Sequence, residues 1–301
     1  MGNTNKNGIL KEIKKNVPIY IMLLPAIIYI FVFCYYPIVN GVEMSFRKVA
    51  LNSNLKNYIG FENYNTIFQD VYFWYALRNT FIFAFWNCFL GVVFSGFVAI
   101  LLNEIRRIAT RRTIQTVIYL PNLLSWVVVG SAFIFMLSPT IGPINQLLRS
   151  LGYDPYYFFG STDTIRSLII FINQWKITGY GVIIYMAALI GIPSEQYEAA
   201  VIDGANRFQQ IFYVTIPGLA NTITVMLMLN VMGMFQLFDP IYILSNNITR
   251  DQIDVLMTYI YRTSLAKIRL GPGAAASVII SIIALIFTLG AKKLTKFGFE
   301  K

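Results

Sequence analysis

The sequence predicts an all-α, polytopic membrane protein whose single domain, residues 1–301, crosses the bilayer with six transmembrane helices. Three observations predict it. Of 301 residues, 56% are hydrophobic and 13% charged, with a mean hydropathy of +0.60. That is about half the charge of an ordinary soluble domain. A water-soluble globule built from this chain would leave large apolar patches facing water. Six apolar stretches of about 20 residues recur along the chain, each long enough to cross a bilayer core as helix. Lysines and arginines gather at the ends of those stretches, as the positive-inside bias requires.

The first span runs from about residue 19 to 40 and follows a tail, residues 1–18, carrying Lys6, Lys11, Lys14 and Lys15. It has the look of a secretory leader, but Tyr35, Tyr36 and Pro37 stand where a small-residue cleavage site would be needed, so the span is expected to be retained. Further spans are expected at about 81–102, 114–137, 168–190, 219–244 and 274–289. Each must be helical, because hydrocarbon offers no partner to an open backbone amide. Pro25, Pro121 and Pro240 are expected to kink their spans.

An even number of spans leaves both ends on one side. The first tail, the group Arg106, Arg107, Arg111 and Arg112, and the last tail, residues 290–301 with Lys292, Lys293, Lys296 and Lys301, all fall on that side, which reads as the cytoplasm. The opposite loops also hold basic residues, but interleaved with Glu62, Asp70, Asp154, Asp163, Asp251 and Asp254. The net charge of +10 therefore reads as topology and contact with anionic lipid. No continuous basic domain exists, so no nucleic-acid partner is expected.

Composition also excludes chemistry. With no His in the chain, histidine metal sites and histidine-dependent nucleophiles are absent, and no metal site is expected. Cys34 and Cys88 lie inside apolar runs and read as packing residues. A membrane-embedded transferase would need an acid, base or metal constellation near one face. The close acidic pairs available for it are Glu62 with Asp70 and Asp251 with Asp254.

One segment between spans four and five, residues 192–217, is neither apolar nor basic. Pro193 and Ser194 supply a helix start, with Ser194 as cap and Glu195 in the first turn. This helix should run to about Asp203. Gly204 can then turn left-handed, and a second helix should continue from about Ala205 until Pro217 stops it. Ala199, Ala200, Gly204 and Ala205 put minimal side chains at the bend, so another surface can approach its backbone closely. Phe208 and Phe212 are expected to anchor the second helix.

Glu198-Ala199-Ala200, Asp203-Gly204-Ala205, Phe208, Ile216 and Pro217 together resemble the EAA coupling loop of permease subunits of binding-protein-dependent ABC importers, especially the carbohydrate class. Shorter pieces are similar to sugar permeases: Tyr36-Pro37 with Ser45-Phe46; Gly60-Phe61-Glu62-Asn63-Tyr64 with Asp70, Phe73, Trp74, Asn79 and Thr80; Gly142 to Asn145 with Leu147-Leu148; and Tyr259 to Arg262 with Gly271. The resemblance implies the type I importer permease fold in a bacterial cytoplasmic membrane, a second homologous permease, an extracytoplasmic solute-binding protein, and a cytoplasmic ATPase dimer gripping the elbow. It implies an ion pair or helix-end contact for Glu198 and a steric role for Gly204. ATP and Mg would sit on the partner ATPase. This chain has no GxxxxGK[ST] loop and no cofactor of its own is expected, nor any covalent chemistry.

Polar side chains inside spans usually face a cavity or another helix. In span four Asn173, Gln174, Trp175, Lys176 and Tyr180 include a stripe at helical spacing, and in span five Asn230, Gln236 and Asp239 offer similar groups. Amides and hydroxyls beside aromatic rings suit a sugar, whose hydroxyls need paired partners while its C–H faces stack on rings. These residues serve equally as interhelical glue, with Asp239 as a charge partner for Lys176. The expected function is sugar or oligosaccharide import; the alternatives are import of a polyamine, phosphodiester or other small polar solute, and the membrane-embedded transferase.

Overall fold

The structure, a computed structural model, describes residues 15–49 and 57–295; Lys6, Lys11, Lys14, Lys56, Lys296 and Lys301 lie outside the described residues. Four continuous helices are long and apolar enough to cross a membrane, and two bent pairs bring the number to six.

Span one is a 29-residue rod. It joins α1 (Val17–Ile30) to α2 (Tyr36–Ser45) through a π-helical turn at Phe31–Tyr35. The helix continues through Pro25, which has no amide hydrogen to donate, and the change of register falls at the π turn instead. A two-stranded antiparallel ribbon, β1 (Arg47–Lys48) with β2 (Asn57–Tyr58), and α3 (Glu62–Phe68) follow. Span two, α4 (Val71–Asn103), is a 33-residue helix that starts ten residues before its apolar stretch. It does so because the Asp70 carboxylate caps it, accepting from the Tyr72 amide at 3.0 Å.

Span three breaks rather than kinks. α5 (Ile108–Leu123) and α6 (Trp126–Met136) meet at 99°. Pro121 sits within the last turn of α5, and the turn itself falls at Leu124 and Ser125, both extended. Ser125 Oγ caps α6 by accepting from the Val128 amide at 3.3 Å. A polar cap inside an apolar run starts a new helix where hydropathy alone reads one span. Beyond it lies α7 (Pro143–Ser150), and then span four, α8 (Ile165–Ile190), the most buried of the continuous helices.

The segment after span four forms α9 (Ser194–Ile202), α10 (Arg207–Gln210), a π turn at Ile211–Thr215 and the short α11 (Ile216–Gly218). Span five, α12 (Ala220–Gly233), leaves that arm at 60° and stops at Gly233, eleven residues before its expected end. Residues 234–238 are not helical, and Pro240 opens the short α13 (Asp239–Leu244) instead of kinking a span. Small helices α14 (Arg250–Ile253) and α15 (Leu256–Tyr261) and a π turn at Arg262–Ala266 lead to span six, α16 (Leu270–Thr295).

Close packing rests on small residues. A Cβ at Gly179 would stand 2.5 Å from the Ile118 carbonyl oxygen, so α8 lies directly on the backbone of α5. Gly181 admits Ser95, and Gly91 admits Asn230. Apolar clusters then fill the bundle, one around Phe83, Ile169 and Ile241, another around Phe73, Phe235 and Leu256, a third around Val182, Tyr185 and Leu219.

The sugar-permease-like pieces are structural stitches. Asn63 Nδ2 donates to the Ser45 and Arg47 carbonyls at 2.8 and 3.0 Å. Asn79 Nδ2 donates to the Asp251 and Asp254 carbonyls, both at 3.0 Å, while its Oδ1 accepts from Arg166. Asn145 Nδ2 donates to the Leu137, Ser138 and Tyr156 carbonyls, all at 3.1 Å.

Candidate functional site

Two places carry candidate function: the elbow after span four and a cavity among α4, α8 and α12. At the elbow, Gly204 has φ +81, the conformation expected of it. Its amide donates to the Val201 carbonyl at 3.0 Å and the Ala205 amide to the Ala200 carbonyl at 2.9 Å, which is the paired closure of a Schellman motif. Two details differ from expectation. Pro193, not Ser194, is the cap residue of α9, and Ser194 is its first helical residue without a side-chain bond. The second arm starts at Arg207, because Asn206 and Gln209 form a reciprocal capping box at 3.0 and 2.7 Å. Pro217 does not end that arm; α11 continues to Gly218, and the break falls at Leu219.

Phe208 and Phe212 do not anchor the second helix against the rest of this chain. They are 76% and 64% exposed, beside Tyr213 at 78% and Ile202 at 85%. The arms are held instead by polar groups: the Tyr197 and Thr215 hydroxyls meet at 3.0 Å, and Gln210 Nε2 donates to the Ala205 carbonyl at 3.0 Å. Glu198, Ala199, Asp203, Gly204 and Pro217 are exposed, with Ala200 and Ala205 half-buried. The elbow thus offers a carboxylate, a bare backbone bend and unburied rings on one projecting unit.

The cavity encloses about 320 Å³. Of the seven expected path residues, five line it: Asn173, Tyr180, Asn230, Gln236 and Asp239. Gln174 and Lys176 do not. Gln174 faces the outer side of α4, where its Nε2 donates to the Asn87 carbonyl at 3.2 Å. Lys176 is buried, donates from Nζ to the Asn122 carbonyl at 3.1 Å, and lies 5.3 Å over the Trp126 ring. It therefore serves the open C-terminal carbonyls of α5 and an aromatic face. It makes no ion pair with Asp239; among the described residues the ion pairs are Arg47–Glu43 and Arg262–Asp254.

Sequence reasoning missed Asn87, Ser95, Cys88, Trp126 and Phe238, which also line the cavity. Asn87 Oδ1 accepts from Asn173 Nδ2 at 2.9 Å, tying α4 to α8 at the cavity wall. Its signal was present, as the one amide in the apolar run 81–102. Trp126 had none, since its place depends on the 99° break. One member of each acidic pair is spoken for: Asp70 caps α4 and accepts from the Tyr259 hydroxyl at 2.9 Å, and Asp254 pairs with Arg262 at 2.6 Å and accepts from Thr258 Oγ1. Among the described residues no group of three or more His, Cys, Asp or Glu gathers that could hold a metal ion.

Six spans, four of which wall a cavity carrying several amides, with an exposed elbow between two of them, are the arrangement of a transport permease. The chain matches the family of binding-protein-dependent transport system inner membrane components over residues 91–296 and belongs to it: it is a permease subunit of an ABC importer. It is 32% identical over 291 residues to Protein LplB of Bacillus subtilis (strain 168), covering 95% of this chain and 91% of that one. It is 29% identical over 284 residues to the arabinooligosaccharides transport system permease protein AraP of the same organism, covering 94% and 89%. Its fold matches, with a TM-score of 0.89 at 32% identity, a crystal structure of a bacterial ABC transporter involved in import of the acidic polysaccharide alginate, covering 97% and 99%. A structure of a bacterial alginate ABC transporter with its periplasmic protein bound to an alginate pentasaccharide matches at 0.88 and 34%, covering 96% and 98%.

Proposed function

We propose that this chain is one of two homologous permeases that together import a sugar or oligosaccharide across a bacterial cytoplasmic membrane, as a single membrane domain with both tails in the cytoplasm. A separate ATPase dimer, which binds the ATP and Mg, grips residues 192–217 and converts its own closure into movement of the spans. An extracytoplasmic binding protein delivers the solute. The cavity wall carries this reading: the amides of Asn87, Asn173, Asn230 and Gln236 stand among the rings of Trp126, Tyr180 and Phe238. Sugar hydroxyls take the first set and sugar C–H faces the second. The relatives that handle arabinooligosaccharides and alginate support the same class. At the elbow, exposed Phe208, Phe212 and Tyr213 next to Glu198 are the surface a rigid partner buries.

The exposed carboxylate of Asp239 on the cavity is the feature that would suit a cationic solute such as a polyamine. Uptake by the assembled transporter separates the readings. Tyr180→Ala and Gln236→Ala should change the ranking of competing sugars by roughly tenfold, about 1.4 kcal/mol, while the ATPase still co-purifies. Unchanged rankings in both variants would remove the cavity assignment, and competition by polyamines but not sugars would replace the solute class.

A further inference from the structure

Three aromatic rings stand together at the edge of the cavity. Phe238 and Tyr242 stack with centroids 5.2 Å apart and planes 14° apart. Tyr261 meets both edge-on, at 5.4 and 5.1 Å. Phe238 lines the cavity, while Tyr242 is not among its lining residues and is 46% exposed. None of the three belongs to the apolar clusters of the bundle. Their placement is built. Pro240, Ile241 and Leu244 bury the opposite face of α13, which forces Tyr242 outward. Tyr261 ends α15, and the next residue, Arg262, is held by the buried Asp254 at 2.6 Å. Phe238 closes the non-helical stretch 234–238, and Tyr242 and Tyr261 follow it ahead of the start of span six at Leu270, so the rings lie on the side of the cavity away from the elbow.

The cavity sets the need for such a surface. At about 320 Å³ it is near the small end of ligand pockets, and an oligosaccharide of several units overfills it. The remainder of the sugar must leave across the rim, and half-buried Phe238 and Tyr261 with exposed Tyr242 make an aromatic stretch of it. We infer that Phe238, Tyr242 and Tyr261 form a second sugar subsite, outward of the cavity, where the ring faces stack against the next one or two units of an oligosaccharide. The subsite rests on the carbohydrate reading above and selects for chain length within it.

The experiment uses the whole transporter, with both permeases, ATPases and binding protein, in proteoliposomes. The probes are malto-, cello- and arabino-oligosaccharides of two to six units. In Tyr242→Ala the KM for a tetrasaccharide should rise about tenfold relative to the KM for a disaccharide, the upper range of an aromatic contact. Tyr242→Phe, which keeps the ring, should recover most of that loss, and Tyr242→Leu should not. Equal loss at every chain length, no length dependence, or rescue by Leu as good as by Phe would overturn the subsite. Labelling provides a readout independent of rate. In a chain with Cys34 and Cys88 changed to Ser, Tyr242→Cys should react with a membrane-impermeant maleimide from outside, and a tetrasaccharide should protect it better than a disaccharide. A thiol that never reacts, as it would beneath the partner permease, or that no sugar protects, also overturns it. If the unaltered transporter moves none of the probes, the carbohydrate reading itself has failed, which is visible before any variant is compared.

Discussion

Gly179 and Arg262 show how single residues hold this bundle. A Cβ at Gly179 would meet the Ile118 carbonyl oxygen at 2.5 Å and Tyr119 Cα at 2.6 Å, both backbone atoms that cannot rotate away. Gly179→Ala should therefore cost about 1–3 kcal/mol by overpacking. Gly41→Ala, where nothing lies within 4 Å, should not; thermal unfolding in detergent compares the two. Arg262 pairs with Asp254, and both side chains are largely buried. Burial is the larger influence on Asp254 and pushes its carboxyl above the ordinary range, against the opposing pull of its Thr258 bond and then of Arg262. A carboxyl raised in the fold lends stability below its unfolded value and loses it as pH rises through the folded value. Arg262→Met removes an opposing charge, so the carboxyl rises further and the charged form becomes costlier. The variant should lose about 3–5 kcal/mol near neutral pH. It should regain stability on acidification towards about pH 5 more than the unaltered protein does, read as the shift of the unfolding midpoint.

Among the elements, the elbow is the most legible and the most revised. Gly204, the small residues and the separation into two helices were readable because backbone conformation there is local: a φ of +81 asks for glycine whatever surrounds it. The roles of Phe208 and Phe212 were not local. A ring on a short helix anchors only if something lies beneath it, and here the polar pairs Tyr197–Thr215 and Gln210–Ala205 fill that place. A Cβ at Gly204 meets nothing within 4 Å, so the chain itself has room for a large side chain. Gly204→Ala should pay only the left-handed backbone cost of about 1–2 kcal/mol and keep ATP hydrolysis tied to uptake. Gly204→Trp should insert and fold yet hydrolyse ATP without transport. Full uptake by the Trp variant would show that nothing docks at the bend. The broken span three and the shortened span five were illegible for one shared reason: hydropathy measures what solvent a segment tolerates, not where its backbone turns. Pro121 announced a kink near the first break, but the Ser125 cap that starts a new helix there went unread.

At the scale of the molecule, burial is uneven in a way that follows the job. The most apolar 18-residue window of span one has none of its residues buried within the chain, whereas that of α8 has 56%. The first half of span one, α1, thus relies on lipid or another subunit for its contacts, while its second half, α2, packs on α16 and α8 is the strut on which the cavity is built. The non-helical stretch 234–238 supplies Gln236 and Phe238 to that cavity. Open backbone inside a membrane protein is tolerable where it lines such a space, because polar groups there have partners. The interruption of span five and the existence of the cavity are therefore one event.

Composition and the order of residues alone determined that this chain lives in lipid, crosses it six times, and carries one water-exposed elbow of small and acidic residues. Those properties sum over residues or depend on neighbours in the chain. Tertiary structure alone decided which polar groups face the cavity, moving Lys176 and Gln174 out of it and bringing in Asn87, Trp126 and Phe238. It also decided that the Lys176 ammonium bonds directly to the carbonyl end of α5, with no direct ion pair to Asp239. A polar side chain in a span must find a partner, but the choice among partners is fixed by where three helices and one break meet, and no stretch of sequence records that meeting.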